Sequence, residues 1–196
     1  MREEEFPGRF IVFEGPDGSG TTTQSRRTAE ELDAYWTAEP TSGEIGRKVD
    51  KMISEGESSA ESIALAFAAD RMVHLEEEIL PRLRDGETVV CDRYYHSSLV
   101  YQPLLGAERD WVRELNSEAI KPDITVFLNV RARTGMRRVR DRGEDGNIFE
   151  DLDFQEKVAV SYRELGERLE EDIEMVDASG TVEEVFEECL RILGDR

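Results

Sequence analysis

Residues 9–24 read RFIVFEGPDGSGTTTQ: a short apolar run, a glycine-rich turn and the threonine-led start of a helical pattern. Strand, loop and helix in that order leave few folds open. Glycines in such a turn let successive backbone N–H groups point inward, and the positive end of the following helix faces the same spot, so the unit is an anion site. The spacing G-x-x-x-x-G-K-[ST] is met at Gly15, Gly20 and Thr22, but Thr21 stands where the lysine is expected. Candidate contacts to the phosphates of a nucleoside triphosphate are therefore Gly15, Asp17, Gly18, Ser19, Gly20, Thr21, Thr22 and Thr23. The Thr22 hydroxyl is a candidate ligand of Mg²⁺, and Asp92, at the end of the apolar run VVCD, suits a second, water-mediated contact to that ion.

A missing lysine matters because it removes a charge that follows the phosphates into the transition state, at a typical cost of roughly 3–4 kcal/mol or about 10²–10³ in rate. Arg26 and Arg27, five and six positions further along the predicted helix, lie about 7–9 Å away along its axis and point away from the phosphates. Arg138, Arg140 and Arg142, just ahead of the stretch GEDGN, are better placed to supply charge.

The rest of the chain repeats the alternation. DAYW, TVVCDRYY, DITVFLNV and DIEMVDA read as four more strands, each followed by a turn signal or helical pattern. Between the second and third, SAESIALAFAADRMVHLEEEILPRLRDG predicts one long helix. ERDWVRELNSEAI and ARTGMRRVRDRG flank the fourth strand as helices, and DFQEKVAVSYRELGERL and TVEEVFEECLRIL flank the fifth. This order implies an α/β fold with a five-stranded, mainly parallel sheet covered on both faces, and ligands gather at the carboxyl ends of such strands, where Gly15, Glu39 and Asp92 fall. At 196 residues the length suits one domain.

Charge narrows the partners. With 45 acidic against 25 basic residues the net charge is −20, which disfavours a general nucleic-acid binder while leaving small phosphorylated ligands possible in a locally basic pocket. Only four of the basic residues are lysines, Lys48, Lys51, Lys121 and Lys157. Such acid-rich, lysine-poor surfaces resemble those of proteins from salt-loaded cytoplasms, where screening over about 3 Å at 1 M salt removes most self-repulsion. No apolar window suits a membrane span or a secretory signal, so a cytoplasmic protein is expected. Cys91 and Cys189 are read as structural, and His74 and His96 attract no role.

Several of these segments, in order across almost the whole chain, resemble the thymidylate kinase (dTMP kinase) family: FEGPDGSGTTTQ its P-loop, AEP its glutamate-proline turn, AFAADR its thymidine-facing helix and CDRYYHSSLVYQ its Asp-Arg block. KPDITVFLNV, RRVRDRG and DFQEKVAVSYRELGER resemble its fourth strand and the segments that lead into and out of its lid. The resemblance implies a single P-loop NTPase-type three-layer domain over residues 1–196, with a short lid at about 142–153. It also implies transfer of the γ-phosphoryl group of ATP to dTMP, with Mg²⁺. Phe67 would lie against the thymine and Arg71 would hydrogen-bond a base oxygen. Asp17 would take the sugar 3′-hydroxyl, and Tyr101 would crowd a ribose 2′-hydroxyl. Glu39 and Pro40 would shape the acceptor site, with Ser98 and Gln102 lining the base pocket. Asp92 and Arg93 would be catalytic, Arg93 bridging acceptor and transferred phosphate. Arg142 would join them in catalysis, and Arg142 and Arg138 would stand at the donor adenine. A homodimer is carried over likewise.

Departures cluster where positive charge should meet phosphate. Thr21 replaces the lysine, Ala38 replaces an arginine common before Glu-Pro, and the lid tip reads GEDGNIFED, with Gly146 or Asn147 where a basic residue is expected. Three readings follow: an active thymidylate kinase, a catalytically impaired paralogue that binds nucleotide, and a kinase for another nucleoside monophosphate.

Overall fold

The computed structural model describes residues 5–141, 143 and 152–194. Five strands, β1 (Phe10–Glu14), β2 (Tyr35–Ala38), β3 (Val89–Asp92), β4 (Ile124–Asn129) and β5 (Ile173–Asp177), form one sheet in the order β2-β3-β1-β4-β5. Every pairing is parallel, with Val12 beside Cys91 on one side and Thr125 on the other. The central strand is buried along its whole length, as a strand covered on both faces must be. The expected fold class is the one observed.

One face of the sheet packs Phe10, Val12, Val89 and Cys91 against Leu75, Leu83, Tyr94 and Val112. Leu75 and Leu83 lie in the continuation of α3 (Ala60–His74), Tyr94 caps α5 (Tyr95–Leu104) and Val112 lies in α6 (Arg109–Leu115). The other face packs Ile11, Phe13, Val126 and Leu128 against Ala29, Val185 and Cys189 from α1 (Thr21–Glu31) and α9 (Val182–Gly194). Helix α2 (Glu44–Glu55) leans on α3, and α7 (Ala132–Asp141) and α8 (Leu152–Arg168) follow β4.

The structure departs from the sequence expectation in five places. The long helix from α3 is interrupted by a π turn at Leu75–Ile79 before α4 (Leu80–Arg84). The third strand stops at Asp92 rather than running through Tyr95, because Arg93 turns the chain at φ 67° and α5 begins. Two tyrosines that favour strands are overruled there by burial against the sheet. Helix α6 ends at Leu115, not at Ile120. Helices α2 and α5 were not expected at all: a glycine inside the first, Gly46, and Pro103 inside the second disguise them. Both cysteines are free and buried, and burial pushes the Cys189 thiol up to about 12.

Candidate active site

The turn after β1 arrives at the carboxyl edge of the sheet, and Gly20, at φ 99°, caps α1 without any side-chain hydrogen bond. The first N–H groups of a helix have no intrahelical acceptor, so this uncapped turn leaves donors free for a ligand. Asp17, Gly18, Gly20, Thr21, Thr22 and Thr23 line a cavity of about 320 Å³. The same cavity is lined by Glu39, Pro40, Phe67, Arg71, Tyr101 and Gln102, and by Arg93. Sequence reasoning missed five further lining residues, Asp50, Ile53, Tyr94, Ser97 and Val139.

The loop backbone is held from α7. A Cβ on Gly18 would sit 2.1 Å from the carbonyl oxygen of Gly135, and one on Gly135 would sit 2.3 Å from that of Asp17, so the two backbones touch where no side chain fits. Arg138 donates to the carbonyls of Gly18, at 3.3 Å, and Ala178, at 3.0 Å. Its guanidinium thus ties α7 to the loop and to the turn after β5, instead of standing open beside a donor base. Arg140 is exposed, and Arg142 with most of the expected lid lies outside the described residues. Arg26 stacks on Trp36 and Arg27 pairs with Glu183, both away from the loop.

Arg93 is the centre of a polar knot. Its Nη2 donates to Asp17 Oδ1 at 2.7 Å, and its Nη1 to the Gly15 carbonyl and Ser97 Oγ, each at 3.1 Å. Tyr101 also donates to Asp17 Oδ1, at 3.0 Å, and burial together with the Asp17 carboxylate raises its phenol, so it remains a neutral donor. Beneath this lies Glu14, fully buried at the end of β1. It accepts from the N–H groups of Tyr94 and Ser97, from Ser97 Oγ and from the Tyr162 hydroxyl. A buried carboxylate with that many donors anchors the start of α5 and so the backbone that carries Arg93.

A second knot holds Arg71, which is 1% exposed. Its Nε donates to Glu39 Oε2 at 2.8 Å, Nη1 donates to Asn116, and Ser98 Oγ lies 3.3 Å from both Nη atoms. Ser98 therefore stands behind the guanidinium and not on the cavity wall. The other Glu39 oxygen meets His74 Nδ1 at 3.1 Å, and His74 Nε2 meets Thr37 Oγ1 at 2.6 Å. His74, given no role from sequence, is a buried strut of the acceptor end; its twin His96 bonds Glu171, away from the cavity lining. The cis peptide at Glu39-Pro40 sits where Glu39 meets Arg71.

For a divalent cation the donor set is Thr22 and Asp92, whose side chains meet at 2.5 Å. Asp92 Oδ1 is buried without a hydrogen-bond partner among the described residues, as a group awaiting a ligand would be. No cluster of three or more metal-ligating side chains exists among the described residues. The Thr22 and Asp92 oxygens fit Mg²⁺, which keeps its waters and takes most of its ligands from phosphate. Charge is the unusual part. Among the described residues, the cationic side chains lining the cavity are Arg71 and Arg93, both already paired, against the carboxylates of Asp17, Glu39 and Asp50. Burial and the neighbouring Asp70 raise the Asp50 carboxyl above its ordinary value. Thr21, 6% exposed, adds a hydroxyl where a cation would have reached the phosphates.

Comparison with known proteins gives a consistent picture. The thymidylate kinase family model matches residues 13–189. A probable thymidylate kinase of Methanococcus vannielii is 40% identical over 187 residues, covering 92% of each chain. Its counterpart in Pyrococcus abyssi is 38% identical over 197 aligned positions, covering 95% of this chain and 96% of that one. The Methanocaldococcus jannaschii counterpart is 40% identical over 189, covering 94% and 95%.

Proposed function

The chain belongs to the thymidylate kinase family, and on that premise we propose that it transfers the γ-phosphoryl group of ATP to dTMP, giving dTDP and ADP. The observation that carries this is the single cavity that joins the uncapped N-terminus of α1 to the Phe67 and Arg71 end. A donor triphosphate lies along the N–H groups of Gly18 to Thr23. The acceptor base lies on Phe67 beside Arg71, and its sugar 3′-hydroxyl reaches Asp17 below Tyr101. Arg93, held by Asp17 and Ser97, spans acceptor phosphate and transferred phosphoryl, as a planar guanidinium can. Thr22 and Asp92 would hold Mg²⁺, which when bound neutralises charge on the β- and γ-phosphates. An acceptor phosphate oxygen attacks the γ-phosphorus as its bond to the ADP oxygen breaks. This needs positioning and charge more than a general base, so neither histidine is required.

That Arg71 and Arg93 are the only cationic lining residues among those described favours a second reading, a family member that binds both nucleotides and turns them over poorly. Both readings are tested by dTMP-dependent ADP formation with Mg-ATP, in low and in molar KCl, for the wild type and Thr21→Lys. The kinase reading expects turnover in the wild type, selectivity for dTMP over other nucleoside monophosphates, and a gain of up to about 10² in kcat from the restored lysine at low salt. The acidic surface, read as an adaptation to salt, expects wild-type activity to rise towards molar KCl. No turnover at either salt, with both nucleotides bound, establishes the impaired paralogue, and rescue by Thr21→Lys then assigns the cause.

The same reading places the enzyme in the cytoplasm with its nucleotides, as a homodimer. Among the described residues, α3 exposes Leu65 (51%) and Val73 (39%) two turns apart, with Ala69 between them. An apolar stripe of this kind suits a two-fold packing of α3 on its symmetry mate. Sedimentation velocity is expected to give a dimer for the wild type and a monomer for Leu65→Glu. A wild-type monomer at micromolar concentration removes the dimer from the account.

A further inference from the structure

Gln155 lies in the first turns of α8, fully buried, and does not line the cavity. Its amide grips the phosphate loop twice. Oε1 accepts the Asp17 N–H at 3.2 Å, and Nε2 donates to Asp17 Oδ2 at 2.7 Å. Those two partners fix the orientation of the amide, since a donor must face the carboxylate and an acceptor must face the N–H. The other carboxylate oxygen, Oδ1, carries Arg93 and Tyr101. Rotation of the Asp17 carboxylate is therefore set from one side by Gln155, and Arg93 takes its direction from the oxygen that remains.

We propose that Gln155 is a positioning residue for phosphoryl transfer, holding the Asp17 carboxylate so that Arg93 is aimed at the reacting phosphates. The proposal rests on the kinase reading above and adds to it a residue that touches neither nucleotide. The loop backbone is secured independently by the contact of Gly18 with Gly135 and by Arg138. Loss of Gln155 thus releases the Asp17 Oδ2 and N–H, while these other contacts still hold the loop. A primary amide is the group that satisfies an N–H and a carboxylate together: leucine serves neither, and glutamate serves the carboxylate only while it carries a proton.

That last property supplies the test. In Gln155→Glu two carboxyl groups face each other at hydrogen-bond distance and cannot both ionise without cost. Among the described residues, the titratable groups around the pair include Arg93 and Tyr101, both on Asp17, with Glu14 and Tyr162 one contact further on through Ser97. Arg93 pairs with the Asp17 carboxylate and nothing comparable is introduced for the new glutamate, so repulsion between the two carboxyl groups raises the folded value of the glutamate above the ordinary one. Steady-state kinetics with Mg-ATP and dTMP, across about pH 5 to 9, are measured beside thermal melts at both ends of the range. Gln155→Glu is expected to approach wild-type kcat at low pH and to fall away as pH rises through the raised value, with KM for ATP unchanged. Gln155→Leu is expected to lose more than about tenfold in kcat at every pH, as a slight misplacement of a catalytic group does. A raised folded value also means stability lost as pH rises from the ordinary carboxyl range to that value, so the melting point of Gln155→Glu should match the wild type only in acid. Wild-type kcat in Gln155→Leu, or a Gln155→Glu profile parallel to wild type, overturns the proposal. A wild type without dTMP-dependent turnover overturns the kinase reading instead, and the melts still report whether Gln155 and Asp17 are coupled.

Discussion

Arg93→Ala is expected to lower kcat by about 10²–10³-fold, the usual loss when one preorganised donor to a developing phosphate charge is removed. Two features of this chain put the effect at the upper end. With Thr21 in the lysine position, Arg93 is one of only two cationic side chains among the described lining residues, and the other, Arg71, is tied to Glu39 at the acceptor end. Removing Arg93 also strips Asp17 of its ion pair at 2.7 Å and leaves that carboxylate facing the incoming phosphates. Arg93→Lys should recover little, because a point charge cannot span Asp17, Ser97 and the Gly15 carbonyl as the guanidinium fork does. Quenched-flow measurement of dTDP formation, which separates chemistry from product release, decides the matter. A burst of near wild-type rate in Arg93→Ala would take the arginine out of the transfer step.

Glu39→Ala is expected to be the most damaging single change to stability, about 3–5 kcal/mol, because it strands a buried guanidinium. Arg71 and Glu39 are each 2% exposed at their side chains, and the same carboxylate also serves His74. For a chain of this length the loss corresponds to a drop of about 10 °C or more in melting temperature. His74→Ala should cost less, since Glu39 keeps both contacts to Arg71. Differential scanning calorimetry of the two variants gives the order directly, and equal melting points for Glu39→Ala and wild type would mean that the pair is not buried in solution.

How much of this could be read from the sequence differs by kind of residue. The phosphate loop was legible because its chemistry demands glycines at fixed spacing between an apolar run and a helix, and the sheet was legible from its near-continuous apolar strands. Gln155, His74 and Asn116 were not, because a polar residue on a helix reads as surface until packing shows otherwise. A trace was present for Gln155: it falls with Val158, Ala159 and Tyr162 on the stripe that α8 buries, so it is a polar residue on an apolar face. In the sequence Glu14 is only the residue before a glycine; its four donors come from the cap and first turn of α5 and from α8, which no local pattern announces. Arg138 was chosen for its charge, whereas the carbonyls it serves become its neighbours only when α7 settles on the loop.

The place of β1 in the sheet bears on how the molecule is made. The strand that carries the phosphate loop leaves a ribosome before either of its partners, yet it is central, pairing Ile11 with Val90 on one side and with Ile124 on the other. Until both partners have been synthesised, its backbone presents an open edge and its apolar side chains lack a cover. Contacts of such long sequence separation form slowly, so nucleotide-binding capacity should emerge late in synthesis and nearly all at once. A nascent chain arrested before β4 would hold a complete loop sequence without the floor it stands on.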